Sequence, residues 1–268
     1  MSQLEASPQV IAKNFITARK NCTGLSGYPG ELPTQLSVAY QVQDHAIKLW
    51  DDVIAGWKVG GVPQPLQSKF DAQRLSGPIF KRTVKYSTDA TQTQMPVFEK
   101  GFAAIEAEFV VELNDVSALP NTPLTLEQIH SAIKRVYIGV EIASSPLQII
   151  NEVAPIGPVS DFGNNTGLIV GPEVANWQDG DLSQYAVSTT INAQNVGVTS
   201  APHALNGPLG AVGFLIEQLK SRGYAIPKGT LISTGAITGV HQAYVGDEAE
   251  IVFEGLGSLL VKLVAKTA

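Results

Sequence analysis

Between Phe102 and Leu113 the chain reads FAAIEAEFVVEL, and its side chains sort with a period of two. Residues i and i+2 of a strand share a face, so Ile105, Ala107 and Phe109 fall on one side and Glu106 and Glu108 on the other. A second strand is predicted over Val136 to Ala143, VYIGVEIA, where Val136, Ile138, Val140 and Ile142 line one face and Gly139, Glu141 and Ala143 the other. Helical periodicity governs other stretches. Residues 6–20 are expected to be helical with Pro8 at the start, and Thr34 to Trp50 carries an apolar face of Leu36, Val38, Ala39, Val42, Ala46, Ile47, Leu49 and Trp50. Further helices are predicted over Thr125 to Arg135 and over Pro208 to Arg222, the latter opened by Pro208 and closed by Gly223.

The Gly- and Pro-punctuated GWKVGGVPQP ends any helix from Gly56 onward. DFGNNTG, Asp161 to Gly167, reads as a loop followed by the short buried strand LIVG, and Tyr185 to Ala193 reads as a strand. GTLISTG, a Gly246-Asp247 turn and AEIVFEGLGSLLVKLV make the last third β-rich. Strands outnumber helices and gather toward the C-terminus, so the expected fold class is α+β and not an alternating βαβ arrangement. One catalytic domain over 1–268 is expected, its helical N-terminal part (1–55) packed on a β-rich core (56–268).

Bulk properties narrow the partners. With 268 residues, 44% of them hydrophobic, the chain can bury a substantial core. A net charge of −6 and short, scattered basic groups argue against nucleic acid. The lone Cys22 has no intramolecular partner, which favours a reducing compartment. The N-terminus lacks a basic leader followed by an apolar stretch, and no apolar run of about 18 residues occurs. A soluble, cytoplasmic protein with no membrane partner is the expectation.

The acidic pairs change the picture most. An isolated E-x-E in a strand ordinarily marks a solvated face, because adjacent buried carboxylates repel and are costly to desolvate. Glu141 adds a third acid to a strand that looks buried, flanked on its own face by the small Gly139 and Ala143, which suggests a carboxylate pointing into a cavity. If the two strands are neighbours, Glu106, Glu108 and Glu141 form a facial set of oxygen ligands suited to Mg²⁺ or Mn²⁺.

In this order, several short pieces resemble the fumarylacetoacetate hydrolase superfamily, within it the branch of 2-oxopent-4-enoate hydratases and oxalocrotonate decarboxylases. They are the G-x-K of Gly56-Trp57-Lys58, the E-x-E pair with Glu141 after it, the DFGNNTG loop, the NGPLGAVGFLIEQLKSRG helix, and LISTGAITG followed by GD and EGLGS. The resemblance implies a mixed β-roll flanked by helices, with the three carboxylates holding Mg²⁺ or Mn²⁺ and a small 2-oxo acid chelating the ion. It implies a catalytic role for Lys58 as a cationic donor near the developing enolate, and substrate contacts from Thr234, Asn164 and Asn165. Asn in a Gly-rich loop also serves turns, and without this motif order Lys58 reads as a surface lysine at the end of a helix-to-strand connection. His241 is read as a partly buried structural residue, and His45 and His130 as surface or interface residues.

The expected reaction is metal-dependent hydration of a 2-hydroxypenta-2,4-dienoate-type substrate to a 4-hydroxy-2-oxo acid. Decarboxylation of a 2-oxo diacid or C–C hydrolysis of an acylpyruvate are alternatives, as is a non-catalytic partner role in a hydratase–decarboxylase complex. Hydrolysis calls for a His–Glu pair that the spacing does not provide. Many hydratases of this family carry an Asp in a P-D-F-G segment after the lysine; the corresponding RLSGPIF, Arg74 to Phe80, has none. Relatives in the family also lead to the expectation of a homo-oligomer.

Overall fold

The structure is a computed structural model describing residues 7–88, 91–120, 123–199 and 207–268. Two helices open it, α1 (Pro8–Asn21) and α2 (Leu36–Leu49). Strand β1 (Ile54–Gly61), the short helix α3 (Gln64–Phe70) and strands β2 (Arg74–Phe80), β3 (Val84–Tyr86) and β4 (Gln92–Val97) follow. The long β5 (Phe102–Leu113) and β6 (Ile133–Ser145) flank α4 (Leu126–Ala132). Then come α5 (Ile156–Ser160), β7 (Asn165–Glu173), β8 (Val187–Ile191), β9 (Gln194–Thr199) and α6 (Gly207–Ser221). Strands β10 (Leu231–Ser233), β11 (His241–Gln242), β12 (Glu248–Phe253) and β13 (Gly257–Ala265) complete the chain.

The strands form two sheets. The larger has the order β2-β1-β10-β5-β6-β7-β3, with β11 pairing with β5 outside that path; the smaller has the order β4-β13-β12-β8-β9. Pairs β1/β10, β3/β7 and β4/β13 are parallel and the other pairs antiparallel. This is the α+β roll with flanking helices that the residue pattern and the resemblance led us to expect.

Both faces of β5 are covered, which decides the fate of its acids. Ile105, Ala107, Phe109 and Val111 join Ile251, Phe253, Leu259 and Val261 of the smaller sheet and Val212, Leu215 and Leu219 of α6 in one core; the Phe109 and Phe253 rings lie 5.5 Å apart. On the other face Phe102 and Ala104 of β5 and Ala143 of β6 pack with Ile11, Phe15, Val42, Ala46, Phe80 and Phe162, so α1 and α2 rest on the sheet. The face that carries Glu106 and Glu108 is therefore buried and not solvated.

Most predicted elements fall where the periodicity put them, and three differ. The loop expected over Asp161 to Gly167 ends at Asn164, because Asn165 already pairs with Ala143 of β6. The helix expected to Arg135 ends at Ala132, because Ile133 already pairs with Leu113 in β6; its start is fixed by a reciprocal cap between Thr125 and Gln128. The stretch from Gly56, expected only as a break, is the core of β1. Its pairing partners make it a strand: Trp57 lies opposite Pro78 of β2 and Ile232 of β10. A Cβ at Gly56 would sit 2.4 Å from the Leu231 carbonyl oxygen, so glycine there permits the close approach of β10. Asn206, the first residue of the predicted NGPLG helix start, lies outside the described residues, and the helix runs from Gly207 to Ser221. None of the described helices is long and apolar enough to cross a membrane.

Candidate metal centre

In the antiparallel ladder of β5 and β6, Glu106 lies directly opposite Glu141 and Glu108 opposite Gly139. Like charges placed across a ladder destabilise it unless something intervenes. One oxygen from each of Glu106, Glu108 and Glu141 lies within 4.8 Å of the others, and all three residues are buried. Register carries the same face across the sheet: Ser233 of β10 pairs with Val110, and Lys58 of β1 pairs with Ser233. Lys58 is buried too, and its Nζ lies 3.3 Å from Glu141 Oε2, an ion-pair contact whose geometry falls short of a hydrogen bond.

Protein donors saturate one side of two of the acids. Ser233 Oγ donates to Glu108 Oε2, which also accepts the Gly235 N–H at 2.9 Å. Asn165 Nδ2 donates to Glu141 Oε1 at 2.9 Å. Among the described residues, Glu108 Oε1 is buried without a hydrogen-bond partner, and Glu141 Oε2 has no hydrogen bond beyond its ion-pair contact with Lys58. Such orphaned acceptors are expensive unless another group meets them. Three carboxylates and one ammonium leave a buried formal charge of −2, which a divalent cation cancels. Hard oxygen donors with free lone pairs suit Mg²⁺ or Mn²⁺, so the residues fit the expected metal. Glu112 supplies the contrast: on the same strand face, it is neutralised by Lys134 at 2.6 Å, accepts the Tyr137 hydroxyl at 2.9 Å, and takes no part.

Burial pushes the Glu106 carboxyl up from 4.5 to about 7, with Lys58 pulling it down and Glu141 adding to the rise. Burial likewise holds Glu108 well above the usual range, with Glu141 and Glu106 reinforcing it. Burial alone would lower the Lys58 ammonium, but Glu141, Glu106 and Glu108 outweigh it and raise it, so Lys58 stays charged. A carboxyl whose folded-state pKa exceeds its unfolded value stabilises the fold only while protonated. Metal-free protein should therefore lose stability as pH rises from 4.5 toward 7. Thermal melts with and without Mg²⁺ should coincide at about pH 5 and separate by on the order of 5 °C at about pH 8. A Mg²⁺ effect of equal size at both pH values would contradict this origin.

The other residues singled out in the sequence divide. Asn165 joins the centre through Glu141. Asn164 is buried at a positive φ of 64°, with an unpartnered Oδ1. Thr234 lies next to Ser233, but its hydroxyl donates to the Phe109 carbonyl at 2.8 Å, a fold contact. His241 pairs with Ile105 in the ladder and so projects on the face opposite the acids, where its ring contacts Thr238 at 3.0 Å; its reading as a structural residue agrees with this. Sequence reasoning missed Ser233. Its alternation with Thr234 was the available signal, because only one of the two can share the face of Lys58.

Gly77 of β2 lies opposite Lys58, where a Cβ would come 2.3 Å from the Phe162 carbonyl oxygen and 2.4 Å from Gly163 N. Both are backbone atoms and cannot swing aside. Gly77→Ala should cost about 3 kcal/mol in denaturant melts, at the upper end for overpacking. Gly61→Ala, with nothing within 4 Å of its Cβ, should stay within about 0.5 kcal/mol.

A buried carboxylate centre for a divalent cation, set in a two-sheet roll, defines the class of this protein. The chain belongs to the fumarylacetoacetate (FAA) hydrolase C-terminal family, whose pattern matches residues 66–264. The 4-oxalocrotonate decarboxylase of Pseudomonas putida is 35% identical over 109 residues, and that of Pseudomonas sp. (strain CF600) is 31% identical over the same length. These matches span 41% of this chain and 41% of each relative. Among solved structures, 4-oxalocrotonate decarboxylase from Pseudomonas putida G7, complexed with magnesium and adipate, superposes with a TM-score of 0.78 at 23% identity, covering 96% of this chain and 97% of that one. Fumarylpyruvate hydrolase from Pseudomonas aeruginosa, in complex with Mn²⁺ and pyruvate, superposes with a TM-score of 0.57 at 16% identity, covering 81% and 93%.

Proposed function

We propose that this protein is a metal-dependent lyase that decarboxylates an unsaturated 2-oxo diacid of the 4-oxalocrotonate type. The observation that carries the reading is the buried trio Glu106, Glu108 and Glu141 with Lys58 against Glu141. Those three residues would hold Mg²⁺ or Mn²⁺. When bound, the ion would supply a Lewis acid for the negative charge that develops on a 2-oxo acid. Ser233 and the Gly235 N–H fix Oε2 of Glu108, and Asn165 fixes Oε1 of Glu141. In the reaction the C–C bond to the distal carboxylate breaks, CO₂ leaves, and the electron pair passes along the conjugated chain to the keto oxygen. Lys58 Nζ then donates a proton to that oxygen, giving the 2-hydroxydienoate. Burial of Lys58 and the acids keeps bulk water from competing with these contacts.

Two features favour decarboxylation over the hydration expected from the sequence. The curated relatives are decarboxylases. In addition, the segment where many hydratases carry an acid is β2, which presents Gly77 to Lys58, so no second acid–base group stands there to deliver water. The test offers purified protein, with and without Mg²⁺ or Mn²⁺, both 2-oxohex-3-enedioate and 2-hydroxypenta-2,4-dienoate, and follows CO₂ release alongside ultraviolet loss of the dienol. Cation-dependent CO₂ release is expected. Dienol loss without CO₂ would replace this reading with hydration, and silence on both would favour a non-catalytic partner role.

A further inference from the structure

The turn 161–164 leads into Asn165, the first residue of β7, whose amide donates to Glu141; the turn covers Lys58, and its backbone is unusual. Phe162, Gly163 and Asn164 have positive φ values of 54°, 69° and 64° in succession. For Phe this left-handed region is disfavoured, Asn and Gly tolerate it, and a run of three persists only where the surroundings over-determine it. A Cβ on Gly163 would lie 2.9 Å from Lys58 Cδ and 2.9 Å from Gly77 Cα, so the loop sits directly on the lysine side chain.

What holds the loop comes from the N-terminal helix. Arg19, in the last turn of α1, is 4% exposed. Its guanidinium binds the Asp161 carboxylate through two bonds, Nε to Oδ1 and Nη2 to Oδ2, the second at 3.0 Å. Further donors reach the Asp161 carbonyl at 3.3 Å, the Ser144 carbonyl at 3.3 Å, the Asn165 carbonyl at 3.2 Å and Thr166 Oγ1 at 3.5 Å. Arg19 thus grips both ends of the strained segment, Asp161 before it and Asn165 after it. The Phe98 and Phe162 rings lie 5.4 and 4.9 Å from the guanidinium carbon, and Ser145 Oγ donates to Asp161 Oδ2. Only a planar five-donor fork meets this set of acceptors; a lysine supplies the charge without the geometry.

We propose that Arg19 and Asp161 are positioning residues: a clamp from α1 that holds residues 162–164 in their left-handed conformation, setting Asn165 against Glu141 and Gly163 against Lys58. This rests on the reading of Glu141 as a cation ligand. The clamp touches neither cation nor substrate and acts through Asn165 and the loop backbone.

A plain stability role and a positioning role part company in a double variant. Arg19→Met alone leaves Asp161 buried and uncompensated, so it is expected to lower Tm sharply. Arg19→Met with Asp161→Leu removes both charges for apolar groups of similar size, a replacement that often retains or improves stability. Mn²⁺ affinity is read directly by calorimetry, without substrate, together with kcat and KM. The double variant is expected to recover Tm toward wild type yet bind Mn²⁺ about 10-fold more weakly, the lower end for loss of a ligand's supporting contacts. Its kcat is expected to fall more than its KM rises. Arg19→Lys should show the same loss of affinity at a higher Tm than Arg19→Met. Recovery of wild-type Mn²⁺ affinity and kcat in a folded double variant would overturn the clamp while leaving the metal reading intact. Should the double variant fail to fold, Arg19→Lys decides: wild-type Mn²⁺ affinity and kcat there overturn the clamp, and the loss supports it. Failure of the wild type itself to bind Mn²⁺ would overturn the metal reading and the clamp with it.

Discussion

Glu106→Gln is expected to weaken Mn²⁺ binding by more than about 100-fold and to reduce turnover to background. Changes in the partners that merely orient metal ligands cost about 10- to 100-fold, and removing a ligand charge exceeds them. The amide keeps the size and hydrogen-bonding ability of the carboxylate, so a cavity cannot explain the loss. The same substitution should make metal-free protein more stable above about pH 7, because it removes the carboxylate that burial and Glu141 hold up near 7. It also relieves the direct cross-strand opposition of Glu106 and Glu141. Opposite signs for stability and activity are the signature of a charge kept for a ligand. Calorimetry with Mn²⁺ and melts of the metal-free protein check both halves. Activity close to wild type in Glu106→Gln would remove the basis for the metal centre.

The acids were legible in the sequence because strand periodicity is local. E-x-E within FAAIEAEFVVEL and the lone Glu141 between small residues announce a shared face before any partner is known. Whether that face is wet or buried is not local. It depends on α1 and α2 lying over Phe102 and Ala104, which no spacing within β5 reveals. Strand β1 was illegible for a related reason: in GWKVGG the apolar alternation is only Trp57 and Val59 set among glycines, and its extended form comes from pairing with β2 and β10 on either side.

The supporting contacts were harder still to read. Arg19 and Asp161 are 142 residues apart, and nothing near either one marks the pairing. Ser233 and Thr234 are adjacent, and choosing between them needs the register that sets Ser233 opposite Val110, on the face of Glu108. Thr234 looked the better hydroxyl from the resemblance, yet its donor is already engaged by the Phe109 carbonyl. Residue type and period are written in the chain, then, while the identity of the group that orients each acid depends on strand order and loop path.

Lys58→Met separates binding from chemistry. The ammonium lies 3.3 Å from Glu141 Oε2, and the surrounding acids keep it protonated. In the proposed reaction it is the proton donor to the keto oxygen, a role whose removal costs about 10²- to 10⁴-fold in rate. Its effect on the cation has the opposite sign. A fixed positive charge beside the trio repels a dication, so methionine, similar in length and uncharged, should leave Mn²⁺ binding as tight as in wild type or tighten it. Without metal the variant should be less stable at about pH 8 than wild type, because Glu106 and Glu108 lose the one cation that lowers their pKa values. Added Mn²⁺ should restore that stability without restoring turnover. The expected pattern is a fold held by metal, an undiminished affinity and a kcat reduced by at least about 100-fold. A kcat within a few-fold of wild type would show that Lys58 serves only to balance charge.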